Sequence, residues 1–110
     1  MTAGFTARVS AEKGRRTAPV VTVDGEIDLA TAGQFDQALQ AAAGNALRVT
    51  VDLTGVTYLD SAAIRVLFEH AARVRLVLVL PADGIVAPLV TLCGLDRVVT
   101  VRDAGTWRRS

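Results

Sequence analysis

The chain has 110 residues, 51% of them hydrophobic but only 5% aromatic, and a formal net charge of +1. That length makes a single domain, residues 1–110, able to bury roughly two-thirds of its unfolded surface around a core of Val, Leu, Ile and Ala. The near-neutral charge leaves little with which to neutralise nucleic-acid phosphates, and the lone Cys93 excludes an internal disulfide or a cysteine-built zinc site.

No apolar leader precedes the first polar–apolar alternation, so no signal peptide is expected. The longest uncharged apolar stretch, residues 84–95, is twelve residues long and carries Pro88. Spanning a bilayer takes about 20. A soluble, cytoplasmic protein is expected, and the single cysteine fits a reducing compartment.

Phe5, Ala7 and Val9 alternate with Thr6, Arg8 and Ser10, the period of a half-buried strand. Residues 12–16, with Gly14, supply a turn, and the β-branched run 18–23 reads as a second strand paired to the first as a hairpin. Asp24-Gly25 then leads the chain out through Glu26, Ile27 and Asp28. Thr31 and Gln34 fit a capping box. Phe35, Ala38, Leu39 and Ala42 follow at helical spacing, and Gly44-Asn45 can end that helix in a left-handed turn.

Leu47, Val49, Val51 and Leu53 alternate with polar residues as a third strand, and residues 54–59 read as a loop around Gly55. Asp60-Ser61 then stands before Ile64, Leu67, Phe68 and Ala71, an apolar stripe at i, i+3, i+4, i+7. Arg65, Glu69 and Arg73 occupy the opposite face. The unbroken apolar run 76–80 has the character of an inner strand covered on both faces, joined tightly to the preceding helix near Val74.

After the break at residues 81–84, Leu89, Leu92 and Cys93 suggest a short helix stopped by Gly94, with Pro88 tolerable only in its first turn. Residues 98–101 form a last strand, and 104–110 a flexible tail beyond a core of about 5–101. The order is α/β: a mixed sheet of four to five strands with helices packed on it. Arg15-Arg16 and Arg108-Arg109 are expected to be solvated ends.

Enzyme chemistry finds no footing here. A Ser61–His70 pair on one helix would be about 13 Å apart along its axis, whereas proton transfer needs roughly 3 Å. His70, the only histidine, reads as a helix-surface or boundary residue, and Cys93 as an inert buried thiol. Gly25 and Gly55 fit no phosphate-loop spacing. The carboxylates lack the partners of a metal site, so neither cofactor nor metal is expected. What stands out is Ser61, which follows a strand and a short crossing and opens a helix. Either Asp60 or Ser61 suits the N-cap, and a helix start is also where a phosphate is best tolerated.

The stretch from Leu53 through Thr54, Gly55, Val56, Thr57, Tyr58, Leu59 and Asp60 to Ser61, followed by Ile64, resembles the signature of STAS domains, in particular bacterial anti-sigma factor antagonists. Residues 25–32 resemble the family's second motif, and residues 92–97 the stretch closing its third helix; together the resemblance covers about 5–101. It implies a protein that is not an enzyme but the substrate of its partner, an anti-sigma factor that is a serine kinase. Ser61 matches the phosphorylated serine, Asp28 an acidic residue that assists phosphorylation, and Asp60 the motif acid at the helix start. Thr31, Ala62 and Ala63 fall on the same partner-facing motifs. Where the family usually has Ser or Thr and then Gly, this chain has Ala62 and Ala63. The Ala63 methyl is expected on the side that a partner's nucleotide site approaches. The same fold also serves as an accessory subunit of lipid-trafficking ABC transporters, or as a ligand-sensing module.

Overall fold

The N-terminal alternation makes a hairpin. In the computed structural model of the chain, which describes residues 4–12, 15–105 and 107, β1 (Phe5–Glu12) pairs antiparallel with β2 (Arg15–Ile27). Three strand–helix steps follow: α1 (Ala32–Ala43), β3 (Arg48–Leu59), α2 (Ser61–Ala71), β4 (Arg75–Leu80), α3 (Val86–Leu92) and β5 (Thr100–Asp103). A turn of 3-10 helix, Leu95–Arg97, precedes β5. Gly14 and the Arg108-Arg109 pair lie outside the described residues.

The five strands lie in sequence order, with β2 to β5 mutually parallel. Crossovers that step one way across a parallel sheet put their helices on one face when all share the usual right-handed sense. The core has that form: Val21, Val23, Val49, Val51, Leu76 and Leu78 face Phe35, Leu39, Val66 and Leu67 of the helices. Residues of the opposite pleat, such as Val20, Thr50, Val77 and Val79, are buried too. β3 and β4 are therefore inner strands covered on both faces, whereas β5 is an exposed edge.

β2 and β3 run further than their turn-forming residues suggest. Asp24-Gly25 does not lead the chain out and residues 54–59 are not a loop; both segments remain paired as far as Ile27 and Leu59. Pairing survives because β3 bulges. From Val20 to Ile27 on one side and Thr50 to Leu59 on the other, β3 spends two residues more. The side chain of the buried Asp52 accepts the Thr54 N–H (3.0 Å) and the Thr54 hydroxyl (2.7 Å), an Asx turn that takes up part of the excess. The glycines fit this irregular ladder by size. Gly25 has φ +99° and lies against the Gly4 carbonyl, and a side chain at Gly55 would overlap the Asp24 carboxylate.

Other expectations change in detail. The buried face of α2 is centred on Ala63, Val66, Leu67 and His70, with Ile64, Phe68 and Ala71 only half-buried at its margin. In α3 it is Val86 and Val90 that are buried; Leu92 is 82% exposed and Cys93 is exposed, so the thiol is not a core residue. Gly44 ends α1 with φ 19° and ψ −112°, outside the left-handed region. Gly94, with φ +81°, does stop α3 as expected.

Leu67 is 1% exposed in the middle of the core. Leu67→Ala should therefore lower the unfolding free energy by about 2–5 kcal/mol, read from denaturant melts. A variant as stable as wild type would contradict this packing.

Candidate functional site

The site forms where β2 and β3 end side by side. Ile27 closes β2, and its carbonyl accepts the Asp60 N–H at 3.2 Å, so the two loops leaving the sheet are bonded to each other. Asp60 is extended (φ −119°, ψ −169°) and is the N-cap of α2. Its Oδ1 accepts the N–H groups of Ala62 (2.9 Å) and Ala63 (3.4 Å). Its carbonyl accepts the Ile64 N–H at 3.1 Å. The choice of cap left open by the sequence is thereby decided: Asp60 caps, and Ser61 is the first residue of the helix. Ser61 is exposed, and its hydroxyl makes no hydrogen bond among the described residues.

On the other loop, Thr31 is not a side-chain cap of α1, and the expected capping box with Gln34 does not form. Asp28 takes Thr31 instead. The Asp28 N–H donates to Thr31 Oγ1 at 3.0 Å, and the Thr31 N–H donates to Asp28 Oδ1 at 3.1 Å. The Thr31 hydroxyl points back to the Glu26 carbonyl at 3.0 Å, with Asp28 Oδ1 at 3.2 Å. These bonds hold the carboxylate of Asp28 rigidly at the start of α1. They also explain the missing cap, because the threonine oxygen faces the strand end and not the helix.

Between α1 and α2 runs an open groove of about 620 Å³. Leu29 of the preceding loop and Ala32, Gly33 and Asp36 of α1 line one side; Ser61, Ala62, Arg65 and Glu69 line it from α2. The small side chains at residues 32, 33 and 62 leave this space unfilled. Ala63 belongs elsewhere. It is 0% exposed and packs in the core, so its methyl meets the sheet and presents nothing to a partner. Asp28, Thr31, Asp60, Ser61 and Ala62 are thus gathered at one end of the molecule, and Ala63 beneath them.

Below the groove, His70 Nε2 lies 2.7 Å from Asp36 Oδ1, joining α2 to α1. His70 is only 4% exposed, not the surface or boundary residue expected from its type. The sequence carried one signal of this: with Ala63, Val66 and Leu67 it completes an i, i+3, i+4, i+7 set. Arg65 and Glu69 pair on the surface at 3.3 Å. Among the described residues, no three His, Cys, Asp or Glu side chains gather as metal ligands, and no helix is long and apolar enough to cross a membrane.

A family model described as "Mlab, STAS domain" matches residues 10–101. The chain belongs to the STAS domain family. The fold of this STAS domain is similar to that of a crystal structure of an anti-sigma factor antagonist from Mycobacterium paratuberculosis. The TM-score is 0.79 at 25% identity, over 92% of this chain and 89% of that one. It is also similar to the anti-sigma factor antagonist SpoIIAA in its unphosphorylated form, with a TM-score of 0.69 at 15% identity over 88% of each chain. The phosphorylated form of SpoIIAA, a Bacillus cell fate determinant, gives 0.63 at 15% identity over 88% of this chain and 91% of that one. No curated protein matches the sequence.

Two substitutions separate the roles at the helix start of this STAS domain. Asp60→Ala should cost about 0.5–2 kcal/mol through the lost cap, whereas Ser61→Ala should stay within about 0.5 kcal/mol of wild type, both by thermal or denaturant melts. Equal losses would contradict the assignment of the cap. Asp36→Ala, which strands the buried His70 nitrogen, should cost about 1–3 kcal/mol in the same assay.

Proposed function

We propose that this STAS domain is an anti-sigma factor antagonist switched by phosphorylation of Ser61. The observation that carries the reading is the division of labour at the start of α2. Asp60 does the capping, so the Ser61 hydroxyl is surplus to the fold and stands open on the α1–α2 groove. The likeness to the Mycobacterium antagonist, at 25% identity over 92% of the chain, supports the same role.

Unphosphorylated, the domain docks through the groove and the Ser61 end onto an anti-sigma factor, which then lets go of its sigma factor. That partner is a serine kinase. It transfers the terminal phosphoryl group of ATP to Ser61 Oγ; the hydroxyl proton leaves with the help of a carboxylate, and ADP departs. Asp28, held by Thr31, is the carboxylate we assign to assisting this step, and Asp60 keeps the helix in place while it occurs. The domain itself catalyses nothing and works in the cytoplasm, where sigma factors act.

The phosphate adds about −1.5 to −2 charge. At a helix start the dipole offsets part of it, so the fold survives. At an interface shaped for a neutral hydroxyl the same charge is desolvated, and a hundredfold loss of affinity requires only about 2.7 kcal/mol. Ser61→Asp should therefore stay within about 1 kcal/mol of wild type in stability yet bind the partner at least about tenfold more weakly. Ser61→Ala should bind like wild type and accept no phosphate. Titration calorimetry against the anti-sigma factor kinases of the source genome, with mass spectrometry after incubation with ATP, reads both outcomes. Wild-type binding by Ser61→Asp and an unmodified Ser61 would remove this reading and leave those of a transporter subunit or a ligand-sensing module.

A further inference from the structure

A phosphate on Ser61 would find most of the donors of the helix start already engaged. The N–H groups of Ala62 and Ala63 go to the Asp60 carboxylate, and that of Ile64 to the Asp60 carbonyl. One amide, the N–H of Ser61 itself, cannot balance a dianion, and the groove offers a cation. Among the residues lining it, Arg65 is the only Lys or Arg, set against the carboxylates of Asp36 and Glu69.

We infer that Arg65 is the intramolecular partner of phosphorylated Ser61, and that modification draws its guanidinium from Glu69 back along α2 onto the phosphate. The inference rests on the proposed modification of Ser61. Ser61 and Arg65 stand four residues apart on one helix and line the same groove. At that spacing Cβ atoms are about 5–6 Å apart, and an anion N-terminal to its cation is the favourable order.

The arginine is free to move. Its side chain is 81% exposed, and its present bond to Glu69, itself 54% exposed, is a single Nε contact of 3.3 Å. Exposed i, i+4 pairs of this kind are weak and screened by salt. A phosphate carries up to twice the charge of a carboxylate and accepts several charge-assisted hydrogen bonds, so it outcompetes Glu69 for the same guanidinium. Phosphorylation then does two things at the docking surface: it adds an anion and lays an arginine side chain over the Ser61 end of the groove.

Phosphoserine placed at position 61 of the full chain by genetic encoding tests this without any kinase. The readout is the midpoint of the second phosphate ionisation, followed by phosphorus NMR against pH. A nearby cation favours the dianion and lowers that midpoint. Arg65→Gln should raise it by about 0.3 pH unit or more, while Arg65→Lys, which keeps the charge, should hold it closer to wild type. Raised salt should narrow the difference, and thermal melts should show all three chains folded, because the side chain is exposed. Equal midpoints in wild type and Arg65→Gln, or an equal rise in both variants, would overturn the inference. Either result would leave the docking and phosphorylation experiments on Ser61 untouched. A kinase that ignored Ser61 would likewise leave this titration unchanged.

Discussion

Asp60 is bonded in three directions. Its N–H continues the ladder onto the Ile27 carbonyl, its carboxylate takes the amides of Ala62 and Ala63, and its carbonyl takes that of Ile64. One residue thus closes β3, locks the end of β2 beside it and starts α2. Everything else at this end of the molecule depends on that. Asp28 is the residue after the locked Ile27, so its position at the start of α1 is set relative to Ser61 through a backbone hydrogen bond. A cap of this kind is worth about 0.5–2 kcal/mol, modest in energy but decisive in geometry.

In the proposed switch the same arrangement separates stability from function. Had Ser61 been the cap, phosphorylation would have altered the very oxygen that holds the first turn. With Asp60 as cap, the serine oxygen can change its charge while the helix keeps its hydrogen bonds. The carboxylates around it, Asp28 and Asp60 on the loops and Asp36 and Glu69 on the helices, set the local field. Against them Arg65 is the one cation lining the groove. The core stays out of the exchange. Ala63, Val66 and Leu67 anchor α2 on the sheet, and His70 binds it to Asp36 of α1, so the groove has firm walls.

Local pattern revealed much of this. The hairpin, the inner β4, the opening of α2 after Asp60 and the stop at Gly94 all follow from period, β-branching and turn residues. What local pattern missed were pairings set by distant segments. Asp24-Gly25 and Thr54-Gly55 look like turns, yet each sits against the other strand in a bulged ladder, and only the partner reveals which use is made of them. His70 goes inside because Asp36, 34 residues away, receives it. Thr31 fails as a side-chain cap because Asp28 and the Glu26 carbonyl hold its hydroxyl. α3 turned out differently from its apolar residues because so short a helix buries only Val86 and Val90, leaving Leu92 and Cys93 outside. In the site, the motif residues could be named from sequence, but the groove could not, since it needs two helices side by side.

The central claim is that α2 keeps its own cap and can therefore carry a charge on Ser61 without loosening. Amide hydrogen exchange on the phosphoserine-61 chain and the unmodified chain, compared at the amides of residues 64–68, tests it most directly. The account predicts equal or slightly greater protection in the phosphorylated chain. A loss of protection of about tenfold or more, equivalent to about 1.4 kcal/mol and confined to α2, would show that the helix start depends on the neutral serine, and would contradict it.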